Sequence, residues 1–254
     1  MIRKGIISAA SIGMLLVVWY FASVSNPSMF PHPATVFALS IQLMFEGDIS
    51  GDTGLYHLGV TFYRIFIITM VVLILSVFIG IMMGTQPALE NPLQAILPVW
   101  LTVPSVVVVL FAMILFNFST TSVLIAVTFV ALPFGIINVY QGTKSVKSDL
   151  LEMASVFELD QRSIWTNIYI PSLFPYLFAS SRYLLGMIWK IVLLAETFGV
   201  STGVGSMIRF WYHQGEIAYL LGYFMMFAVT ILAIEYLILA PLERRSFAYR
   251  SEAN

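Results

Sequence analysis

Apolar segments long enough to cross a lipid bilayer recur along almost the whole chain. A transmembrane helix needs about 20 consecutive, predominantly apolar residues. The chain of 254 residues is 59% hydrophobic and 10% charged, whereas soluble domains are about 45–50% apolar and about 25% charged. The sequence therefore predicts an all-α polytopic membrane protein. We expect one transmembrane domain over residues 1–254, with about six spans at residues 6–24, 58–85, 93–117, 121–140, 172–199 and 219–240.

The first apolar segment has two interpretations. Arg3 and Lys4 precede it, as in a secretory signal peptide, whose apolar core is about 7–15 residues long. This segment is longer, and it ends in the aromatic residues Trp19, Tyr20 and Phe21, which are typical of a membrane interface. We expect a retained span, and a cleaved signal peptide is the alternative.

Lysine and arginine residues are distributed unequally between the two sides of this six-span arrangement. One side carries Arg3, Lys4, Lys144, Lys147, Arg162, Arg244, Arg245 and Arg250. The loops of the other side carry only Arg209. Because cytoplasmic loops are enriched in these residues, both termini and the polar segment 142–169 are predicted to be cytoplasmic.

The segments predicted outside the bilayer carry proline and glycine signals. Pro31 and Pro33 indicate the start of a short amphipathic helix on the membrane surface. Residues 200–218 are predicted to be a glycine-rich polar loop. The residues that share one face of the predicted surface helix are Val36, Ser40, Leu43 and Met44.

Two patterns inside the spans predict how the helices pack. Ser76, Gly80 and Gly84 recur at intervals of four, and small residues at this spacing allow close helix approach. We favour packing within the chain over packing across a dimer. Pro98 and Pro104 are predicted to break the third span into a short helix facing a cavity, and a kink without function is the alternative.

The chain lacks the residues and motifs that several kinds of enzyme and metal chemistry require. It contains no cysteine and no P-loop, H-E-x-x-H or G-x-S-x-G motif. The three histidines are far apart in predicted external loops. An ion-coupled carrier needs an ionisable group near the midplane, whereas Glu196 and Glu235 fall near span ends. The chain is therefore not expected to be an enzyme, and uphill transport would need energy from a partner.

Ionisable residues within the spans are candidates for a transport pathway, because they must face protein or water rather than lipid. Arg182, Trp189 and Glu196 share one face of the fifth span. Lys190 lies beside that face, where we favour a partnered packing role or a snorkelling side chain, and a pathway-lining cation that attracts an anionic solute is the alternative. For Arg182 we favour a structural pair with Glu235. The predicted translocation pathway comprises Pro104, Arg182, Trp189, Lys190 and Glu196.

The polar segment 142–169 is predicted to form two short helices. Leu150, Leu151, Ala154 and Phe157 recur at i, i+1, i+4 and i+7, which is typical of an amphipathic helix. An apolar face exposed in the cytoplasm indicates a docking surface. A helix that lies on the membrane is the alternative.

The ends of these two helices are predicted from local signals. Ser148 is expected to cap the first helix, and Asp160 the second. Pro171 is expected to mark the start of the fifth span.

The same segment resembles the cytoplasmic loop of binding-protein-dependent ABC importer permeases. Their loops contain E-A-A-x-x-x-G, then nine residues, then I-x-L-P. The matching residues here are Glu152, Met153, Ala154, Glu158, Ile168, Ile170 and Pro171, with Pro175 and Arg182 at further family positions. The resemblance covers the six-span arrangement. The motifs WKIVLLAETFG, GVG and LERR are similar to the nitrate, sulfonate, taurine and thiamine-precursor branch.

The resemblance implies a type I ABC importer permease fold in the bacterial inner membrane, with a cytoplasmic coupling-helix loop. Two permease copies, identical or related, would form the pore. Two cytoplasmic ATPases would hold the ATP and magnesium, so this chain would need no cofactor. An external or periplasmic binding protein would deliver a small solute, and no nucleic-acid partner is expected. A membrane scaffold or channel-like subunit without ATP coupling is the alternative.

The expected ATPase-docking residues follow from this resemblance. They are Asp149, Leu150, Glu152, Met153, Ala154, Phe157, Glu158, Leu159 and Arg162. Met153 replaces the first alanine of the motif, and Glu158 replaces its glycine. Glycine adopts a left-handed backbone at low cost. We therefore expect a right-handed or continuous helical turn at Glu158, or a bend at Asp160 instead.

Overall fold

Helices make up the architecture of the described chain. The structure is a computed structural model that describes residues 2–47 and 51–241. Within these ranges, the β pairing assigned is an isolated bridge between Gly47 and Thr53. The α-helices are α1 Ile2–Ser25, α2 Pro33–Phe45, α3 Gly54–Thr85, α4 Pro87–Leu101, α5 Ser105–Leu115, α6 Thr120–Lys144, α7 Ser148–Val156, α8 Gln161–Ile164, α9 Ile170–Thr197, α10 Val204–Gln214 and α11 Ile217–Ile234. π-helical turns occupy Trp165–Tyr169 and Glu235–Leu239.

Four helical segments of the described chain are long and apolar enough to cross a membrane. They are Gly54–Thr85, Thr120–Lys144, Gln161–Thr197 and Ile217–Leu237. The pair α4 and α5 would add a fifth as one bent span. The predicted first span lies within α1, of which Gly13–Ser25 is a shorter apolar helix. The all-helical membrane fold is confirmed, and the count of six spans stays a prediction.

The chain forms two compact units. Unit 1 comprises Met1–Val60 and Ser201–Arg244, and unit 2 contains Thr61–Val200, each within the described ranges. The single transmembrane domain over residues 1–254 stays a prediction. Part of the orientation argument lies outside the described residues, namely Arg244, Arg245, Arg250 and the side chains of Arg3 and Lys4.

In unit 1, α2 packs against α11. Pro33 opens α2, and the His32 side chain caps it by accepting a hydrogen bond from the Ala34 amide through Nδ1 at 3.2 Å. Val36, Ser40 and Leu43 are buried. A Cβ added at Gly222 of α11 would lie 3.0 Å from Leu43. The face predicted to lie on the membrane surface therefore packs on protein instead.

The predicted polar loop 200–218 contains a helix, α10, so this expectation was wrong. Gly203 precedes the helix with φ of 108°, and Gly215 ends it in the left-handed conformation with φ of 76°. Glycine adopts both conformations without steric cost. The glycines that suggested a loop thus mark the two ends of a helix.

In unit 2, α6 packs against α9 and along α3. A Cβ at Gly80 would lie 2.7 Å from Val139 Cβ, and one at Gly84 would lie 2.5 Å from Thr143. Ser76 lies against Gly135 in the same way. The small residues of α3 therefore let α6 approach closely, which confirms the prediction of packing within the chain.

The third predicted span is broken, but at only one of its two prolines. α4 and α5 meet at 90°, and the break occupies residues 102–104. Pro104 caps the start of α5, where its missing N–H costs nothing, whereas Pro98 lies inside α4. The predicted break at Pro104 is confirmed, and the one at Pro98 was wrong.

Candidate functional site

The first helix that lies wholly within the polar segment 142–169 is α7, and no side chain caps its first turn. Lys147 occupies the N-cap position and Ser148 is already helical, so the expected Ser148 cap was wrong. The Ser148 hydroxyl lies 3.3 Å from a carboxylate oxygen of Asp149. Asp149 lies in the first turn, where the helix dipole favours a negative charge.

The end of α7 is a Schellman motif. The Leu159 amide donates to the Ala154 carbonyl at 2.9 Å, and the Glu158 amide donates to the Ser155 carbonyl at 3.2 Å. Glu158 has φ of 49°, in the left-handed region that glycine favours. The expectation of a right-handed turn or of a bend at Asp160 was therefore wrong. Glu158 therefore adopts the left-handed conformation expected of the glycine in the motif, and two backbone hydrogen bonds hold it there.

The α7 region exposes an apolar surface. Val156 is 77% exposed, Phe157 69% and Met153 52%. Leu150 and Leu159 are also exposed. We call these five residues the α7 patch. Val156 was not predicted, although it lies three residues after Met153, the spacing that places two residues on one helix face.

Ala154 does not belong to this surface. It is only 1% exposed, and its predicted role as a docking contact stays a prediction. The other predicted docking residues are exposed, including Asp149, Glu152, Glu158 and Arg162.

The helix after α7 does not begin at Pro171. Asp160 occupies the N-cap of α8 without a side-chain cap bond, and helical backbone continues from Gln161 to Thr197. The π-helical turn Trp165–Tyr169 lies just before Pro171, and the Ile170 amide donates to the Trp165 carbonyl. Proline lacks an N–H, and a widened turn accommodates this without ending the helix. Helical backbone thus precedes Pro171, α9 itself begins at Ile170, and the start of the fifth span at Pro171 stays a prediction.

A polar cluster links the end of α6, just before α7, to α4. The Lys144 ammonium lies 2.8 Å from Glu90, and the Tyr140 hydroxyl donates to Glu90 at 2.6 Å. The Gln94 amide donates to the Tyr140 hydroxyl at 2.5 Å. The broken helix pair is thus connected to the helix that leads into α7.

One face of α9 is uncovered. Ala179, Tyr183, Gly186 and Lys190 are exposed, and their intervals of four, three and four place them on one side. The Lys190 ammonium lies 5.5 Å from the centroid of the Trp189 ring, within the range of a cation–π contact. Arg182 and Trp189 are half-buried, and Pro104 is exposed at the helix break.

Glu196 does not share this exposure. It is 0% exposed and forms an ion pair with Arg64 at 2.7 Å. The Thr61 hydroxyl lies 3.0 Å from both carboxylate oxygens, and Arg64 also donates to Thr120 at 2.8 Å. Glu196 is thus part of a buried ion pair, and its placement on a transport pathway stays a prediction. The pair was missed, although an unmatched arginine and glutamate within apolar spans were a signal for it.

Metal-ligating side chains do not cluster in this region. Among residues 2–47 and 51–241, no three histidine, cysteine, aspartate or glutamate residues come together as a metal site. The predicted pair of Arg182 with Glu235 stays a prediction, because these residues belong to different units.

Comparison with known proteins assigns a family to this arrangement. Residues 76–241 match the family described as binding-protein-dependent transport system inner membrane component. The chain belongs to this family. It is thus a permease, the inner membrane component of an ABC importer, and the predicted function is confirmed. Such a system implies an ATPase and a substrate-binding protein as partners.

Relatives of this permease carry names from one branch. SsuC of Bacillus subtilis, named an aliphatic sulfonates transport permease protein, is 27% identical over 81% of this chain and 72% of its own. NrtB of Synechococcus elongatus, a nitrate import permease protein, is 26% identical over 80% and 75%. TauC of Escherichia coli, a taurine transport system permease protein, is 21% identical over 82% and 76%. The predicted resemblance to the nitrate, sulfonate and taurine branch is confirmed.

A solved structure shares the fold. A chain from an inward-facing structure of the MetNI methionine ABC transporter has a TM-score of 0.55 and 15% identity. The match covers 79% of this permease and 96% of that chain. At this identity the match supports the permease fold alone.

Proposed function

We propose that the permease forms half of the pore of an ATP-driven importer and couples to ATPase subunits through the α7 patch. In this proposal the two compact units act as one transmembrane domain, with six spans and both termini in the cytoplasm. The observation that carries the proposal is the exposure of Met153, Val156 and Phe157 on and just after the short helix α7. Exposed apolar patches of this kind are typical of protein interfaces.

The geometry of α7 suits the transmission of a movement. Its end is held by the two Schellman hydrogen bonds, and its start follows α6 after residues 145–147. The Glu90 cluster connects α6 to the broken helix pair. Displacement of α7 by ATP-driven closure of the ATPases would therefore act on α6 and on α4. ATP hydrolysis and magnesium binding would belong to the ATPases, with no cofactor in this chain.

The second permease copy is supported by the uncovered face of α9. Lys190 is exposed on a helix that crosses the membrane, and a charge at such a position must face protein or water. A second copy that covers this face would leave a water-filled pathway beside Lys190. We assign Pro104, Arg182, Trp189 and Lys190 to this pathway, and Lys190 would favour an anionic solute delivered by the binding protein.

The coupling proposal is tested by placing a negative charge on the α7 patch. Phe157→Asp and Met153→Asp should each abolish co-purification with the ATPase and ATP-driven uptake in proteoliposomes. Asn167→Asp, at an exposed residue outside the patch, is the matched control. Bulky replacement of Ala154 should lower the stability of the permease itself, because that residue is buried. ATPase binding by both patch variants at the native level would refute the coupling role.

The pathway proposal has an independent test. Lys190→Met should reduce the uptake rate of an anionic solute, and Lys190→Arg should preserve it because the charge is retained. Unchanged anion uptake in Lys190→Met would contradict the role of Lys190 without affecting the coupling role of α7.

A further inference from the structure

A groove of about 450 Å³ lies between α1 and α11. Its wall on α1 contains Leu15, Val18, Trp19 and Ala22, whose intervals of three, one and three place them on one face of the helix. Its wall on α11 lies within residues 217–225. All of these residues belong to unit 1. The volume falls within the range of small-molecule sites, about 300–1,000 Å³, so the groove is large enough for a ligand.

The wall of the groove is apolar. Among the described residues that line it, none carries a charge, and Trp19 already donates its Nε1–H to the Pro31 carbonyl at 3.1 Å. Leu15 is 70% exposed and Val18 is 58% exposed, so the groove is open along one side. Water needs two or more polar partners in a cavity, and apolar cavities stay dry. The group that fills this groove must therefore be apolar.

The groove begins at the level of the membrane interface. Trp19 is followed by Tyr20 and Phe21, and aromatic clusters of this kind mark the interface. On the other wall, α11 follows the exposed segment 213–216, which contains a histidine, a glutamine and a glutamate. Residues 217–225 extend about 12 Å along the helix axis. The hydrocarbon of one leaflet is about 15 Å thick, half of a core of about 30 Å. The groove therefore extends through most of one leaflet and does not cross the bilayer.

The shape and composition of the groove favour a lipid chain over a helix as its occupant. A helix of a second permease copy would cross the whole hydrocarbon core, whereas the groove is confined to one leaflet. Helix interfaces in membranes are enriched in small residues. Among the described residues that line the groove, Ala22 is the one small residue, while Met29, Phe30 and Phe224 are large and exposed. An acyl chain adapts its torsions to such a wall and gains the dispersion contacts that an empty groove lacks.

We propose that the groove binds one acyl chain of a phospholipid from the surrounding leaflet. The bound chain contacts α1 and α11 together, and it thereby holds α1 against the rest of unit 1. The headgroup stays at the interface, where the groove begins. Lipid binding at this place goes beyond the proposed import function and does not depend on it.

The first test measures whether a phospholipid chain reaches Trp19 at a saturable site. The probe is phosphatidylglycerol brominated in the middle of its acyl chains, titrated into the full-length permease in detergent, because bromine quenches tryptophan fluorescence on contact. Trp19 is one of five tryptophans, so the difference between the native protein and Trp19→Phe isolates its signal. In the control Trp19→Phe/Phe21→Trp, the indole moves to a position that is 65% exposed in the native protein and does not line the groove.

Quenching of Trp19 should be half-maximal at a lipid mole fraction about tenfold lower than quenching of the indole at position 21, a preference of about 1.4 kcal/mol. Amide exchange in Gly13–Ser25 should slow over the same range of lipid mole fraction, because the bound chain holds α1 in place. Equal mole fractions at the two positions would show contact with bulk lipid only and would overturn the inference. Unchanged amide exchange would overturn it as well.

The second test fills the groove. Ala22→Phe adds a ring to the wall on α1, and Val24→Phe on the same helix is the matched control because Val24 is 61% exposed and does not line the groove. Val18→Phe, at an exposed lining residue, makes little demand on packing and decides the question if Ala22→Phe does not fold. Both filling variants should raise the half-maximal mole fraction about tenfold, while the control keeps the native value. A native value in folded Val18→Phe would overturn the inference.

Other occupants of the groove would give different results. The chain contains no cysteine, so Leu15→Cys provides a unique thiol on the groove wall. Disulfide-linked dimers of this variant in oxidised membranes would place a second copy on the groove and overturn the lipid assignment. Displacement of the brominated phospholipid by oleate at an equal mole fraction would indicate a fatty-acid site and overturn it as well. The expected result is saturable quenching of Trp19 that oleate does not reverse, without disulfide-linked dimers of Leu15→Cys.

Discussion

Removing one partner of the buried Arg64–Glu196 pair is expected to destabilise the permease strongly. Both side chains are at most 1% exposed, and the two charges lie 2.7 Å apart. In Arg64→Met, the Glu196 carboxylate keeps the Thr61 hydroxyl as a hydrogen-bond donor but loses its counter-charge. An uncompensated buried charge of this kind costs about 3–5 kcal/mol. That is a large part of a typical unfolding free energy of about 5–15 kcal/mol.

The double variant separates the cost of an isolated charge from the value of the pair. Replacing both residues with methionine leaves no buried charge, and such replacements are often neutral or even stabilising. We therefore expect Arg64→Met/Glu196→Met to be clearly more stable than either single variant. Thr61→Val, which removes only a hydrogen bond to a charged group, should cost an intermediate amount of about 1.5–3 kcal/mol.

The measurement is the free energy of reversible unfolding in SDS–lipid mixed micelles, followed by circular dichroism for the native protein and all four variants. Double-mutant-cycle analysis then gives the coupling between the two residues. Additive losses, with coupling below about 0.5 kcal/mol, would refute the reasoning. Losses below about 1 kcal/mol in both single variants would refute it as well, because such values are typical of exposed pairs.

Three further predictions follow from local geometry. Glu158→Gly should raise the thermal stability of the α7 end and slow amide exchange at Leu159, because a non-glycine residue at φ of 49° costs about 1–2 kcal/mol. Glu158→Val should have the opposite effects. Equal behaviour of the two variants would contradict the left-handed conformation of residue 158. Gly80→Ala should lower the unfolding free energy by about 1–3 kcal/mol through a clash with Val139. The control is Gly59→Ala on the same helix, whose added Cβ meets no atom within 4 Å and should leave the unfolding free energy unchanged. Equal effects of the two variants would refute the close packing of α3 on α6. Glu90→Ala should speed amide exchange at residues 145–147 by releasing Tyr140 and Lys144, with little change in unfolding temperature, and unchanged exchange would remove the Glu90 cluster from the coupling route.

Features that depend on a local pattern could be predicted from the sequence. Long apolar runs require helices in a bilayer, because each backbone polar group must be satisfied within its own segment. Pro104 has no N–H to donate back to α4, and it marks the observed break. The spacing from Glu152 to Pro171 matches the loop pattern of the family, so the family could be predicted from the sequence.

Local pattern misled where two conformations compete for the same residues. Glycines at 203 and 215 suggested a loop, yet they bound α10, since cap and loop conformations use the same dihedral angles. Glu158 suggested a regular turn, but the Schellman hydrogen bonds hold it in the left-handed region. Pro171 suggested a helix start, and the preceding π-helical turn allowed the helix to continue through it.

The sequence by itself determined that this chain is a helical membrane permease with an amphipathic polar segment, because hydrophobicity and motif spacing are properties of the chain alone. Only the tertiary structure decided which face of each helix is covered. Ala154 and Phe157 share one amphipathic pattern, yet packing buries the first and exposes the second. Likewise, Glu196 and Lys190 are both charges on α9, and only the approach of Arg64, 132 residues away, turns one of them into a buried structural pair. Contacts across such separations depend on how the helices assemble, which no local pattern specifies.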